Sequence, residues 1–565
     1  MAPPPPPDST EGATSSVPPV DTASYTRSEA TRLLCAGAYL DTGFRATAIT
    51  ELIERTVPPS LGFDAAVVLR HCLRARDLDV KAAGLVLAVL VAGTLAALLG
   101  ITAWENPAAM QMGQYALASL GLFVLAGLLA QGRQALRGQS ESPLAAGSGG
   151  ATDPVGRAHR LLALPLGLFN VALLVLWIVP AWLLLWNGHV LAATAVLSPP
   201  VLLLAIGVWH LLALSRILCT ELARHSFTGK TPGPLPAPFA ERRAGTLAAI
   251  GKEQFSRLVL YNEDEPFLGA GKSYRPWSLA LELERRSGDA DGAEPLDGRR
   301  VLDLITPQLA KLAEASSRTS RDRLKDLELQ ECVFLPAGLP TGARRAGLLY
   351  EDGNVRAHLD EAAGEGAEQR RHFLRIRVGG WEEEVVTTVF VRVHTQGDLL
   401  ILEVLPYVLP PLRSNFHEVD TFTEQSTRFR LSTLVTAPAV TVSVLACGAS
   451  TLKAWWCEWR GLAGGETPQA PRVSIRELGS RDTRSMFQEM DVNRYVRTIQ
   501  DRITSGAQQA LAEAGYRTEE FQRQVVNISR GGVFIGGSMN GSIATGAGAQ
   551  AVTVTDQTVK DKEKK

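Results

Sequence analysis

Four long apolar runs stand out along the chain: Ala82 to Trp104, about Met110 to Ala130, Leu161 to Trp186, and about Val190 to Leu214. Each is long enough to cross a hydrocarbon core of about 30 Å as a helix, which takes about 20 residues. A soluble helix of that length keeps a polar face, and these runs have none. The pattern predicts four transmembrane helices over residues 82–217, bent at Pro180 and at Pro199 and Pro200. Basic residues set the orientation. Arg70 to Lys81 precede the first run, Arg133, Arg137, Arg157 and Arg160 separate the second from the third, and Arg216, Arg224 and Lys230 follow the fourth. The connections ENPAAMQM and NGH hold no Lys or Arg. The positive-inside rule then predicts a multi-pass protein of the cell membrane with both termini cytoplasmic. Asp, Glu, Lys and Arg are absent from the interiors of the runs, and His210 lies near the inner end of the fourth. Uncharged spans favour an anchor or an assembly surface over a pore.

Shorter periodicities organise the rest. Residues 1–25 form a Pro/Ser/Thr-rich leader with no signal-peptide pattern and an expectation of disorder. Residues 26–81 carry a cytoplasmic helical segment. Ser28 precedes Leu33, Leu34 and Ala38, a second stripe holds Ala48, Leu52 and Ile53, and a third helix holds Val67, Val68 and Leu69. Residues 218–243 read as a linker containing TPGPLPAPF. Over 244–430, strands are expected at Arg257–Tyr261, Trp277–Leu283, Leu327–Leu335, His372–Val378, Val385–His394 and Leu399–Leu405, with a helix from Thr306 and Pro307 and a turn at TQGD. This is a cytoplasmic α+β domain with a mainly antiparallel sheet.

Leu431 to Leu452 is uncharged and long enough to span, but rich in Thr and Ser and broken by Pro438. With Trp455, Trp456 and Trp459 beside Lys453 and Arg460, residues 431–481 read as an amphipathic, interfacial segment followed by a linker. Residues 482–527 are helical. Val492, Val496, Ile499 and Ile503 share one face as a helix interface, either a short coiled-coil seam or packing on the helix's own domain. In the tail, 528–565, Gly531, Gly536, Gly541 and Gly546 recur every five residues. Val533, Phe534, Ile535, Asn540 and Ile543 lie between them. Short strands of this kind stack between copies, which makes the tail a candidate for self-assembly against the alternative of a disordered linker.

Composition narrows the function. The chain has 565 residues and a net charge of −1, so no nucleic-acid partner is implied. Its six cysteines show no metal-ligand spacing and read as free thiols of a reducing compartment. FLGAGKSYRPW (267–277) mimics the end of a phosphate-binding loop, but Pro266 stands where such a loop needs a glycine N–H. Glu263, Asp264 and Glu265 read as a solvated turn, and His358, Asp360 and Glu361 as an exposed helix face. No cofactor, metal or catalytic residue is implied.

RLVLYNEDEPFLGAGKSYRPWSLALEL (257–283) and RHFLRIRVGGWEEEVVTTVFVRVHTQGDLLILEVLPYVLPPL (371–412) resemble parts of an uncharacterised actinobacterial family of multi-pass membrane proteins. The resemblance covers roughly residues 30–550 and implies architecture rather than activity. The tail is similar to short amyloid signalling motifs at the ends of some bacterial and fungal signalling proteins. The expected function is a non-enzymatic membrane anchor or scaffold with a cytoplasmic interaction domain, signalling through tail self-assembly. Its expected partners are the lipid membrane, further copies of itself through spans and tail, and an unknown protein. A channel or transporter component, and a membrane-bound enzyme with its site in 244–430 near Lys272 and Arg275, are the alternatives.

Overall fold

The computed structural model describes residues 22–102, 107–136, 190–230, 240–286, 296–315, 323–337, 350–363, 370–396, 398–421, 431–462 and 470–529, with Gly233 and several positions between 178 and 188. The chain begins with α1 (Thr22–Thr26), α2 (Glu29–Leu40) and α3 (Thr42–Glu54). Ser28 caps α2 by accepting from the Thr31 N–H at 3.1 Å, and Asp41 caps α3 by accepting from the Phe44 N–H at 2.8 Å. Then α4 (Ala65–Thr102) runs without interruption through the boundary expected at residue 81. Its 38 residues make a rod of about 57 Å. Val68, Leu69 and Leu73 are buried against α2 and α3, whereas Leu85, Leu87, Leu95 and Leu99 are exposed apolar side chains. The expected third helix and the first apolar run are therefore one element.

Two further apolar helices, α5 (Pro107–Leu136) and α6 (Val190–Thr220), pack on α4. Together with α4 they are long and apolar enough to cross a membrane. Val86, Leu120, Phe123 and Leu203 form their shared core, and the buried Ser119 hydroxyl donates to the Val196 carbonyl at 2.7 Å. Of the third expected span, residues 161–177 lie outside the described residues. Trp182 and Trp186 near its end are exposed, with rings 5.3 Å apart.

Residues expected at the membrane surface instead form α10 (Leu431–Leu462), packed against all three apolar helices. Small side chains permit this close approach. A Cβ on Gly207 of α6 would stand 2.8 Å from the Ala437 carbonyl oxygen. Thr441 donates to the Ala437 carbonyl at 2.9 Å and reaches the Leu203 carbonyl at 3.3 Å, and Gln131 donates to the Ala439 carbonyl at 3.1 Å. The contacts fall on the halves of the helices nearest α2 and α3, around Ala82, Ala83, Leu211 and Val444.

The α+β part starts with α7 (Ala240–Glu253), ahead of β1 (Leu258–Tyr261), β2 (Lys272–Ser273), β3 (Trp277–Glu282), α8 (Gly298–Ala315), β4 (Glu328–Pro336), α9 (Asp352–Ala363), β5 (Arg371–Gly380), β6 (Val385–Gln396) and β7 (Leu399–Leu409). After α10 come α11 (Ile475–Leu478), α12 (Met486–Glu513) and α13 (Glu519–Ser529). The sheet order is β1-β4-β5-β6-β7, with β2 and β3 both on β7. The expected mainly antiparallel sheet is a mixed one, because β1 lies parallel to β4. The chain leaves β1, visits the far edge as β2 and β3, and returns through α8 to lay β4 beside β1. The helix expected from Thr306 begins at Gly298, where Asp297 accepts from the Arg300 N–H at 2.7 Å, and Pro307 lies inside it. One face, with Leu281, Leu374, Val391 and Leu402, is covered by α8 and α12. The other holds the aromatic group Phe334, Phe373, Phe390 and Tyr407.

The β5–β6 turn is strained. Trp381, Glu382 and Glu383 have φ of 52°, 58° and 71°, a conformation that costs L-residues about 1–2 kcal/mol each. Four polar contacts hold it. The Trp381 indole donates to Asp491 at 3.2 Å, Glu382 pairs with Arg224 beyond α6, Glu383 with the buried Arg377, and Glu384 with His417 at 3.1 Å. The Glu384 hydrogen bond raises the His417 pKa above its ordinary 6.5, against the opposing effect of burial. A raised native pKa stabilises the fold fully below the unfolded value, and that contribution is lost as pH rises through the native value. His417→Gln is therefore expected to lower the melting temperature more at pH 5.5 than at pH 8.5, in melts of the full chain across that range. An equal loss at both would show that the pair carries no charge.

Candidate functional site

Two of the places that combine buried polar chemistry with close packing bear on function. The first is the glycine-rich loop between β1 and β2. Phe267 plugs it into the aromatic face, with ring centroids 4.9 Å from Phe390 and from Tyr407, 5.3 Å from Phe334 and 5.4 Å from Phe373. Gly269 and Gly271 follow at φ of 95° and 92°, a region open to glycine at little cost. Their two N–H groups converge, as in anion-binding loops, but the anion is internal. Both donate to Oε1 of Glu477, at 2.8 Å each. Burial pushes the Glu477 carboxyl above the ordinary carboxylate range, against the opposing effect of these two donors. Lys272 turns outward to Asp482 at 2.8 Å, and both are exposed. A cavity of about 410 Å³ opens beside the loop. The phosphate-loop likeness thus ends in a glycine turn already filled by a carboxylate.

The second place is where α4 leaves α2 and α3. Asp79 is buried there, paired with Arg45 of α3 and accepting from His210 Nε2 of α6 at 2.8 Å. Arg45 also donates to the Ala38 carbonyl at 3.2 Å, and Cys447 of α10 lies beside both charges. A turn and a half before Asp79, Arg74 donates to Glu221 beyond α6 at 3.0 Å. One carboxylate therefore joins four elements. His210, a lone histidine near the inner end of an apolar run, carries no sequence sign of Asp79, which is 131 residues away.

Val492 and Val496 pack against Val385 and Val408, and Ile499 and Ile503 enter the core under the sheet. Of the two readings of this helix interface, the structure has the packing on its own domain. Val533, Phe534, Ile535, Asn540 and Ile543 lie outside the described residues. Asp360 pairs with Arg299 at 3.0 Å and Glu361 with Arg370, as an exposed helix face would. Among the described residues, no group of three His, Cys, Asp or Glu is placed to hold a metal ion. Cys35, Cys72, Cys219, Cys332 and Cys447 are free thiols, and burial pushes Cys332 up to about 12.

A family model described as an AbeC-like domain matches residues 276–541, just under half of the chain. Those residues are similar to the AbeC-like domain. The match takes in the sheet from β3 onward, α10, and the Glu477 side of the cavity, whereas α1–α6 and the glycine loop precede it. No curated protein and no solved structure matches the chain.

Because Glu477 occupies the loop donors and Asp482 holds Lys272, titration of ATP or GTP into the full chain should give no saturable binding. Tight binding abolished by Lys272→Ala would contradict this.

Proposed function

We propose that the chain is a non-enzymatic, multi-pass membrane protein that couples four spans rigidly to a cytoplasmic α+β module, as an anchor or scaffold for protein assembly. The observation that carries this reading is the Asp79 junction, together with the unbroken α4 that passes through it. A flexibly tethered enzyme domain needs no buried ion pair at its membrane exit. Here the module side of α6 is also bound. Arg32 of α2 donates to the Leu222 carbonyl at 2.8 Å and pairs with Asp420 at 2.8 Å.

The direction of the helices supports four crossings. Gly93 of α4 faces Leu120 and Pro199, while Val86 faces Phe123 and Leu203. Both α5 and α6 therefore run antiparallel to α4 and parallel to each other. A chain that ends α5 on the module side and begins α6 on the far side needs one more crossing between them, and Leu161–Trp186 is the apolar run available. The same reasoning bears on α10. Before it, Phe416 packs in the α2–α3 core. After it, Arg55 donates to the Ala470 carbonyl at 2.9 Å and Glu51 accepts from the Val473 N–H at 2.9 Å. With both flanks on one side, α10 makes no net crossing and sits as a re-entrant or tilted helix in the inner half of the bundle. The basic residues Arg70 to Lys81 at the module end favour the cytoplasm for it and for both termini. The partners of this reading are the lipid membrane and further copies of the chain, through the spans and the Gly-rich tail.

A channel or transporter component is the second reading, favoured by the buried Asp79–His210 pair at the mouth of the bundle. Reporter fusions at residues 108, 145, 188, 300 and 555 test the topology. Those at 108 and 188 should report outside and the others inside. Residues 145 and 188 on one side would remove the fourth crossing, and residue 555 outside would make α10 a span.

A further inference from the structure

The cavity beside the glycine loop has no part in the membrane coupling, yet its volume of about 410 Å³ lies within the range of small-molecule sites. Its wall is chemically uneven. Asp264, Glu265, Glu477 and Asp482 supply four carboxylates against the two cations Lys272 and Arg481. Lys272 is already spent on Asp482 at the exposed rim. Glu477, deeper, has two N–H donors on Oε1 but no cationic side chain in ion-pair contact among the described residues. A half-buried carboxylate in that position is stabilised by a positive charge brought from outside. Tyr407 adds a hydroxyl without a hydrogen-bond partner among the described residues, and its ring and that of Phe267 line the same space. Aromatic walls favour organic cations over hydrated inorganic ones. An anion is disfavoured, because the two loop N–H groups that would receive it are held by Glu477.

We propose that this cavity is a binding site for a small organic cation carrying a primary ammonium or guanidinium group, anchored on the Glu477 carboxylate and the Tyr407 hydroxyl. The site joins the glycine loop to α11, so occupancy would tighten the hold of α11 on the loop. The proposal stands independently of the membrane reading, since it uses residues of the α+β part alone.

Isothermal titration of the full chain in detergent tests it, with agmatine as the probe and with glutamate and potassium chloride at matched ionic strength as controls. Agmatine should bind saturably and the controls should not. Glu477→Gln keeps an oxygen to accept from Gly269 and Gly271 and removes only the charge. It should weaken agmatine about tenfold or more. Tyr407→Phe should weaken it a few-fold, and serves as the second variant should the first melt far below the parent. Absence of saturable agmatine binding would overturn the proposal. So would unchanged affinity in a folded Glu477→Gln and in Tyr407→Phe, or tighter binding of glutamate than of agmatine.

Discussion

A buried carboxylate, Asp79, ties the apolar helices to the helices that precede them. It lies one turn before the apolar part of α4 and meets Arg45 from α3 and His210 from α6, with Cys447 of α10 alongside. Taking these charges out of water is expensive, and their attraction offsets that cost only while all are present. Removing one partner of such a pair typically costs about 3–5 kcal/mol, because the other charge is left buried and unpaired. The pair is thus less a source of stability than a specification. A slide of α6 against α4 by one turn would part His210 from Asp79 and leave the carboxylate with Arg45 alone.

From that point the rest of the architecture follows by reach. With α4 and α6 fixed, residues 221–230 fold back on α2, and Phe227 joins the core there. Arg224 is then positioned to pair with Glu382 in the strained β5–β6 turn. The same turn holds Asp491 through Trp381 and His417 through Glu384, so the sheet, α12 and the segment before α10 meet at one strained loop. Beside that turn, Glu477 fills the glycine loop, and Arg476 donates to the Glu384 carbonyl and, at 3.1 Å, to the Pro410 carbonyl. The segment 470–482 is thereby pinned to α3, the loop and β7. The C-terminal helices belong to the same body as the N-terminal ones, although more than 400 residues separate Arg55 from Ala470 along the chain.

Local chemistry was legible in the sequence, and long-range pairing was not. Ser28, the alternation over residues 371–409 and the turn at 395–398 specify elements through their own neighbours, and β6 and β7 do pair at Gln396 and Leu399. β1 is four residues long and its parallel partner lies some seventy residues on, so no local pattern announces a mixed sheet. The run over 431–452 looked too polar for a bundle, yet the hydroxyls described in it are satisfied within the helix. Thr441 donates to Ala437, Ser443 to Val440 and Thr451 to Cys447. The four-three-four spacing of Val492, Val496, Ile499 and Ile503 marks a buried stripe without saying what buries it. The glycine loop was read correctly as lacking a phosphate-loop glycine, but its occupant, Glu477, lies more than 200 residues downstream.

If the bundle and module are one body clamped at Asp79, α4 has no hinge where its surroundings change. Hydrogen–deuterium exchange on the full chain in lipid nanodiscs addresses this directly. The account predicts slow, continuous exchange across residues 70–90 in the parent. In Asp79→Asn, exchange should quicken around Arg45, across residues 74–84 and at the inner end of α6. Rapid exchange at residues 78–84 in the parent, or an Asp79→Asn profile identical to it, would contradict the account.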